Sequence, residues 1–193
     1  MTGAKHTRPG FTLIEMLIVV LIFSIASAIL SDIFMHITRL QRKVSNMAVM
    51  NQDMRFATEL MVRAARSNYI DYSSAPLPAK SNDLLLDMPS GGTIEITIKD
   101  SATCNDPMLG PTGRCLMLST DGGATWNVLT SHRVNVTNFD VYVLPSESPF
   151  TTSGVNQQPV VTLNIGLQYM ADNPQDRTAL HAQTTVSSRL YQR

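Results

Sequence analysis

The two cysteines, Cys104 and Cys115, are the residues of this sequence whose chemistry is easiest to predict. They enclose 105–114, a segment with several prolines and glycines. In an exported domain a disulfide is the natural state of such a pair, and it would contribute about 3 kcal/mol for a loop of this size. A metal site or two free thiols are the alternatives. A metal site would need further ligands, and His132 and His181 are isolated in the sequence.

A second candidate is the segment STDGGATW at 119–126, which fits the pattern S-x-D-x-G-x-T-W. It resembles the Asp-box hairpin of sialidases and other propeller proteins, where the motif is mainly structural. We expect one copy to form a tight turn in which the aspartate accepts hydrogen bonds from backbone amides. A sugar or Ca²⁺ site is the alternative. The residues that fit the pattern are Ser119, Asp121, Gly123, Thr125 and Trp126.

Patterns typical of enzymes are missing from the sequence. It contains no H-E-x-x-H, no phosphate-binding loop, no G-x-S-x-G and no dinucleotide fingerprint. The four histidines are scattered, and we find no convincing pair of acid and base. We therefore expect a protein that is not an enzyme and that holds no cofactor and no metal.

The most apolar segment contains a single charge. Phe11 to Leu30 reads FTLIEMLIVVLIFSIASAIL, in which Glu15 is the only charged residue. As a helix it could cross a bilayer core of about 30 Å. Lys5 and Arg8 precede it and predict a cytoplasmic N-terminus with the C-terminal part across the membrane. Placing an acidic side chain inside the bilayer costs up to about 2.5–3.5 kcal/mol of free energy. We therefore expect Glu15 to have a function, rather than to be an acid near the interface whose side chain simply extends to the lipid headgroups.

An ordinary secretory signal peptide is an alternative interpretation of this segment. Ala26-Ser27-Ala28 resembles an A-x-A cleavage site after a basic start and an apolar run. The run is longer than usual, however, and continues past that site into Ile29 and Leu30. Cleavage between Ala28 and Ile29 is therefore the less favoured interpretation.

The segment Arg8-Pro9-Gly10-Phe11-Thr12-Leu13-Ile14-Glu15, followed by an apolar helix, resembles the N-terminal signal of type IV pilins and type II secretion pseudopilins. The resemblance implies cleavage between Gly10 and Phe11 by a prepilin peptidase on the cytoplasmic face. It also implies N-methylation of Phe11 with S-adenosylmethionine, so that this chain is the substrate of that chemistry. The partners implied are other pilin or pseudopilin subunits, the peptidase, an inner-membrane assembly machinery, and membrane lipid before assembly.

The same resemblance implies a role for Glu15 in assembly. In a fibre its carboxylate could meet the α-amine of a neighbour's Phe11. The pairing would offset the cost of burying each of the two charges, and it would help to set the register between subunits. Many pilins have a proline near the outer end of the apolar segment. Here that segment ends at Ser31-Asp32 without one, which fits a minor subunit at least as well as a major one.

Apolar residues recur beyond this segment at alternating spacings of four and three, which indicates a helix with an apolar stripe. Neither Gly nor Pro occurs between Phe11 and Tyr72, so we expect one helix from about Phe11 to Ser67. A coiled coil with an identical partner is one interpretation. We prefer an outer half covered by the chain's own C-terminal domain, because methionines are adaptable core residues. The stripe comprises Ile33, Ile37, Leu40, Val44, Met47, Met54, Met61 and Ala65.

Strand patterns follow the proline-containing stretch Ser73–Pro78. We expect two hairpins, a strand with a bulge near Thr137-Asn138, and two further strands. The fold class predicted is α+β, a long N-terminal helix with a transmembrane half and an amphipathic half packed on a mainly antiparallel β-sheet head, as in pilins. The predicted parts are a leader at 1–10, helix halves at 11–31 and 32–72, and a head at 73–193. The predicted strands are Leu84–Met88 with Thr93–Lys99, Cys115–Ser119 with Trp126–Thr130, Arg133–Leu144, Val161–Tyr169 and Leu180–Leu190.

The charge balance limits the classes of partner. The 193 residues include 15 Lys and Arg against 15 Asp and Glu, and charged residues make up only 16%, against about 25% in soluble domains. This composition argues against disorder and against a generally basic nucleic-acid binder. Without the leader the chain has 13 positive and 15 negative residues; its helix is then basic and its head acidic.

These observations predict a structural subunit, either a minor pilin or a pseudopilin whose head is somewhat like the J-type. It would be a single-pass protein of the inner membrane with its head outside the cytoplasm, and later part of a periplasmic pseudopilus or a surface pilus. The alternative is a membrane-anchored or secreted binding module that contacts glycans through the Asp-box-like hairpin. An extracellular hydrolase has almost no support among the residues.

Overall fold

The computed structural model describes residues 10–73, 77–149 and 157–189. Lys5, Arg8 and the rest of the predicted leader before Gly10 lie outside the described residues. Helix α1 spans Leu13–Ser67, close to the predicted bounds. The chain divides into a first unit that ends at Arg42 and a second unit that begins at Lys43.

The apolar half of α1 lies in the first unit. Its large apolar side chains are exposed on all sides of the helix, for example Leu13 at 83% and Phe23 at 71%. By length and composition this helix could cross a membrane, a test that a signal sequence near the N-terminus also passes. A helix that is apolar all round is stable only where lipid or protein covers it.

The second unit begins with an antiparallel sheet in which neighbouring strands follow each other in the sequence. Both predicted hairpins are confirmed: β2 pairs with β3 and β4 pairs with β5. The two-residue strand β1 at the edge was not predicted. The strands are β1 (Tyr69–Ile70), β2 (Asp83–Asp87), β3 (Thr93–Asp100), β4 (Arg114–Ser119) and β5 (Asn127–Val128).

The remaining strands form a separate antiparallel sheet in the order β6–β7–β8, so the head contains two sheets. β6 is Val134–Leu144, β7 is Val160–Tyr169 and β8 is Thr178–Ser187. The predicted bulge is confirmed by a register shift between Val136 and Asn138. The last strand begins before the predicted Leu180 and ends at Ser187, whereas the predicted end, Leu190, lies outside the described residues.

Helix α1 and both sheets share one core. The buried helix residues lie at spacings of three and four, and they pack against apolar residues of the two sheets. They are Met50, Met54, Ala57, Met61 and Ala65. The strand residues of this core include Leu84, Leu86, Ile96, Leu116, Val134, Val136, Phe139, Leu163, Ile165 and Leu167.

The predicted stripe is buried at Met54, Met61 and Ala65 but exposed at Met47 and at the stripe residues before it, Ile33, Ile37, Leu40 and Val44. Met47 is 43% exposed, whereas Met50 is fully buried. The covered length of α1 begins at Met50, so Met47 and the earlier stripe residues lie before the covered part. The head therefore covers the outer part of the helix, as predicted, over a shorter length.

A buried carboxylate joins α1 to the segment before β6. Asp53 is only 6% exposed. Its two oxygens accept hydrogen bonds from the Ser131 backbone N–H and hydroxyl, each at 2.6 Å. Hydrogen bonds to an ionised acceptor offset the cost of burying it. These two bonds anchor the helix to a segment 78 positions away in the sequence.

Candidate functional site

The predicted cleavage site lies immediately before α1, outside any helix or strand. Gly10 and Phe11 precede the first helical residue, Leu13, and the Phe11 side chain is 77% exposed. The peptide bond between Gly10 and Phe11 is therefore not part of the helix. A peptidase acts most readily on an accessible segment that is not held in regular structure, and the described part of this segment is exposed and lies outside the helix.

Thr12 caps the helix and places Glu15 in its first turn. The Thr12 hydroxyl accepts a hydrogen bond from the Glu15 backbone N–H at 3.3 Å, and the Thr12 carbonyl accepts one from Met16 N–H at 3.2 Å. Sequence reasoning missed this role, although T-x-x-E before an apolar run is the pattern of a capping box. The cap fixes where the helix starts, and an acid in that turn interacts favourably with the helix dipole.

The surroundings of Glu15 are apolar. Ile14 and Met16, its neighbours in sequence, are 64% and 54% exposed, and Glu15 is the one acidic residue in the first turn. An uncharged surface of this kind can bury itself in lipid or against other helices, and in either place a carboxylate needs a partner. A cation supplied by another molecule would meet this requirement.

The Asp-box-like segment forms a closed hydrogen-bonded turn between β4 and β5. Asp121 Oδ1 accepts from the Ser119 hydroxyl at 2.7 Å and from Thr125 N–H at 2.9 Å. Asp121 Oδ2 accepts from the Thr125 hydroxyl at 2.6 Å. Gly123 N–H donates to Ser119 Oγ at 2.8 Å, and the φ angle of Gly123 is 91°, a value that favours glycine.

These hydrogen bonds hold the pKa of Asp121 near 2, and the largest cause is the bond from the Thr125 hydroxyl. The carboxylate is therefore ionised and engaged within its own turn. Trp126 packs against a small core that contains the two cysteines, and Lys99 Nζ lies 4.5 Å from the centroid of its ring. The arrangement favours a structural turn in which Trp126 shields the disulfide region.

Cys104 and Cys115 form a disulfide, with their Cα atoms 6.2 Å apart. The enclosed loop is anchored by Asp106, which is 8% exposed. Its carboxylate accepts from Met108 N–H at 3.0 Å and from Arg133 N–H at 3.1 Å, and His132 Nδ1 lies 3.2 Å away. These contacts tie the loop to the start of β6.

Within 10–73, 77–149 and 157–189, no three His, Cys, Asp or Glu residues lie close enough together to hold a metal ion. The structure brings the five hairpin residues close to one another, and it joins the two cysteines to each other. Gly10, Phe11 and Glu15 lie in the first unit, and the hairpin and the disulfide lie in the second.

Comparison with known families gives a match at the N-terminus. The family described as the prokaryotic N-terminal methylation motif matches residues 5–31, which include Gly10, Phe11, Glu15 and the apolar half of α1. No curated protein and no solved structure matches the chain. The resemblance noted at the N-terminus is thereby confirmed, and residues 5–31 carry the N-terminal methylation motif of the type IV pilin and pseudopilin family.

Proposed function

We propose that this chain is a minor pilin or a J-type-like pseudopilin, a structural subunit of a type IV pilus-like or type II secretion filament. The observation that carries the proposal is the methylation motif at 5–31, which runs directly into a helix whose apolar side chains are exposed on every side. Such a helix requires lipid before assembly and neighbouring helices afterwards. A filament subunit meets both requirements in turn.

Processing would begin with hydrolysis of the peptide bond between Gly10 and Phe11 by prepilin peptidase. The new α-amine of Phe11 would then receive a methyl group from S-adenosylmethionine, which leaves as S-adenosylhomocysteine. The start of α1 at Leu13 supports this order, because the bond to be cut is not held in the helix. Removal of Lys5 and Arg8 would also shorten the basic segment that holds the N-terminus in the cytoplasm.

Glu15 would pair with the methylated α-amine of a neighbouring subunit's Phe11. The acid lies in the first turn of an apolar helix, so apolar side chains surround it when subunits pack together. An ion pair in such surroundings is costly to break and tolerates few positions, which would select the register between subunits. The mature N-terminus of one chain and the carboxylate of the next would therefore specify the stacking.

The chain would sit in the inner membrane with its C-terminal head outside the cytoplasm. The disulfide supports this location, because disulfides form and persist in oxidising compartments. The acidic head and the small number of charges in the first helical unit agree with one membrane-spanning segment. An inner-membrane assembly machinery would then move the subunit from lipid into the filament.

The alternative function is an anchored or secreted binding module that contacts glycans through the Asp-box-like hairpin. The hydrogen bonds of Asp121 are made within the turn, and Trp126 packs against the core around the disulfide. Both observations favour a structural hairpin. The filament proposal therefore accounts for more of the chain.

The effect of Glu15→Ala on assembly tests the proposal. We expect cells with active prepilin peptidase to process the variant normally but to yield much less of it in sheared filaments. The matched control is Asp32→Ala on the same helix, whose carboxylate lies 3.7 Å from His36 Nε2 and is exposed. Wild-type amounts of the Glu15→Ala variant in filaments, or an equal loss for both variants, would contradict the role of Glu15.

A further inference from the structure

A tight turn at Ser131–Val134 lies between helix α1 and the loop that the disulfide closes. The Val134 N–H donates to the Ser131 carbonyl at 3.2 Å and closes the turn. Its third residue, Arg133, has a φ angle of 65°. Side chains other than glycine rarely adopt this left-handed conformation, because it brings Cβ too close to a carbonyl oxygen. The 131–134 turn therefore needs contacts from other parts of the head to hold it in this form.

The disulfide side of the head supplies contacts of this kind. Asp106 Oδ2 accepts a hydrogen bond from the Arg133 N–H at 3.1 Å, and the same oxygen lies 3.2 Å from His132 Nδ1. The Arg133 carbonyl accepts from the Met170 N–H at 2.8 Å. Met170 in turn packs against the small core that contains both cysteines. The backbone of Arg133 is therefore held at its N–H and at its C=O by groups next to the disulfide.

The first residue of the 131–134 turn holds α1. Ser131 donates its backbone N–H and its hydroxyl to the two carboxylate oxygens of the buried Asp53. Asp53 lies three positions after Met50, the first buried residue of the helix. A continuous series of contacts therefore runs from the disulfide through Asp106 and the turn to the start of the covered part of α1. Energetic coupling between distant groups travels through contacts of this kind.

The position of Asp106 depends on the disulfide. Asp106 comes two residues after Cys104, inside the loop that the S–S bond closes. Backbone hydrogen bonds also tie the loop to Ser101, whose N–H donates to the Gly113 carbonyl at 2.8 Å and whose carbonyl accepts from the Asp106 N–H at 3.4 Å. Opening the S–S bond gives the loop more conformational freedom. The Asp106 carboxylate, which is 8% exposed, can then leave the turn for water.

We propose that the redox state of the two cysteines controls how firmly the start of the covered part of α1 is held on the head. With the disulfide formed, Asp106 fixes the 131–134 turn, and the turn binds Asp53. With two thiols, Arg133 relaxes from its left-handed conformation and Asp53 loses its two donors. The change is confined to the first covered turn of the helix, because Ala57 and the buried residues after it pack on both sheets.

Closing the disulfide is an oxidation of the chain. The two thiols lose two protons and two electrons to a disulfide-containing oxidant, which becomes a dithiol as the S–S bond forms. Oxidants of this class act outside the cytoplasm. The biological consequence rests on the proposed function: in an exported subunit, α1 is fully attached to the head only after export. The coupling itself is tested on the purified chain, so its failure is distinguishable from failure of the filament proposal.

Hydrogen–deuterium exchange of the full chain in detergent, followed by mass spectrometry, tests the coupling. The variant that combines Cys104→Ser with Cys115→Ser lacks the disulfide. We expect exchange in peptides that cover 50–54 and 131–134 to become at least about tenfold faster than in the disulfide-bonded protein, because hydrogen bonds to a charged acceptor are lost. Exchange in 161–167 of the central strand β7 should change by less than about twofold.

A pair of variants that keep the disulfide separates this coupling from a general loss of stability. Asp106→Asn keeps the size of the side chain but replaces one acceptor oxygen by an amide group, so exchange in 50–54 and 131–134 should again be faster. The matched control is Asp100→Asn, because Asp100 is exposed and its side chain caps no helix.

Three results would overturn the proposal. The first is exchange at the wild-type rate in 131–134 of the double serine variant. The second is acceleration of 161–167 as large as that of 50–54 and 131–134, which would show a general loss of stability. The third is an effect of Asp106→Asn no larger than that of Asp100→Asn.

Discussion

The bonds between Asp53 and Ser131 allow a quantitative test of how α1 is held on the head. Asp53 is 6% exposed and accepts two hydrogen bonds of 2.6 Å. Each hydrogen bond to a charged group contributes about 1.5–3 kcal/mol. Asp53→Ala removes both bonds but also removes the cost of burying the carboxylate, and Ser131 is exposed enough to bind water instead. We expect a net loss of about 2–3 kcal/mol in the free energy of unfolding.

This loss corresponds to a fall in melting temperature of about 5–10 °C for a protein of this size. Thermal unfolding of the full chain in detergent, followed by circular dichroism, measures it. Asp53→Asn keeps one acceptor and places an amide N–H₂ against the other Ser131 donor, so an intermediate fall is expected.

The matched control is Glu59→Ala on the same helix. Glu59 pairs with Arg63 at 3.0 Å, but both side chains are more than 70% exposed, so the pair contributes only about 0.3–0.5 kcal/mol. If Asp53→Ala lowers the melting temperature no more than Glu59→Ala does, the anchoring role of Asp53 is refuted.

Three further predictions concern the head. Replacing Cys104 and Cys115 by serine should lower the free energy of unfolding by about 3 kcal/mol, measured by urea denaturation, and an unchanged midpoint would contradict the stabilising role of the disulfide. Because the pKa of Asp121 is lowered from 3.8 to about 2, its contribution to stability is complete above pH 3.8 and is lost as the pH falls through 2. Fluorescence of Trp126, the only tryptophan, should report this transition. The transition should disappear in the Asp121→Asn variant. Burial raises the pKa of Tyr72 to about 12, so absorbance titration should show one tyrosine that ionises well above pH 10 and that is missing in Tyr72→Phe.

Much of the fold could be predicted because its signals are local. The absence of Gly and Pro from Phe11 to Tyr72 predicts the long helix, and the change of parity between Val136 and Phe139 predicts the bulge. The Asp121 turn is also local, since its hydrogen bonds join residues no more than four positions apart. Patterns of this kind depend on neighbouring residues, which the sequence displays directly.

Other features depend on residues that are distant in the sequence. The bond between Asp53 and Ser131 spans 78 positions, and Asp106 reaches Arg133 across 27. The division into two sheets depends on which strands pair, and alternation of apolar residues does not specify a partner. Met47 shows the same limit, because the apolar pattern of a helix does not reveal where the covering domain begins.

The N-terminus of the native protein tests the central claim most directly. Intact mass and N-terminal sequencing of the protein purified from its own membranes, in a strain with active prepilin peptidase, identify the first residue and its modification. We predict a chain that starts at Phe11 and carries one methyl group on its α-amine. A chain that starts after Ala28, or one that keeps Met1 to Gly10, would contradict the account.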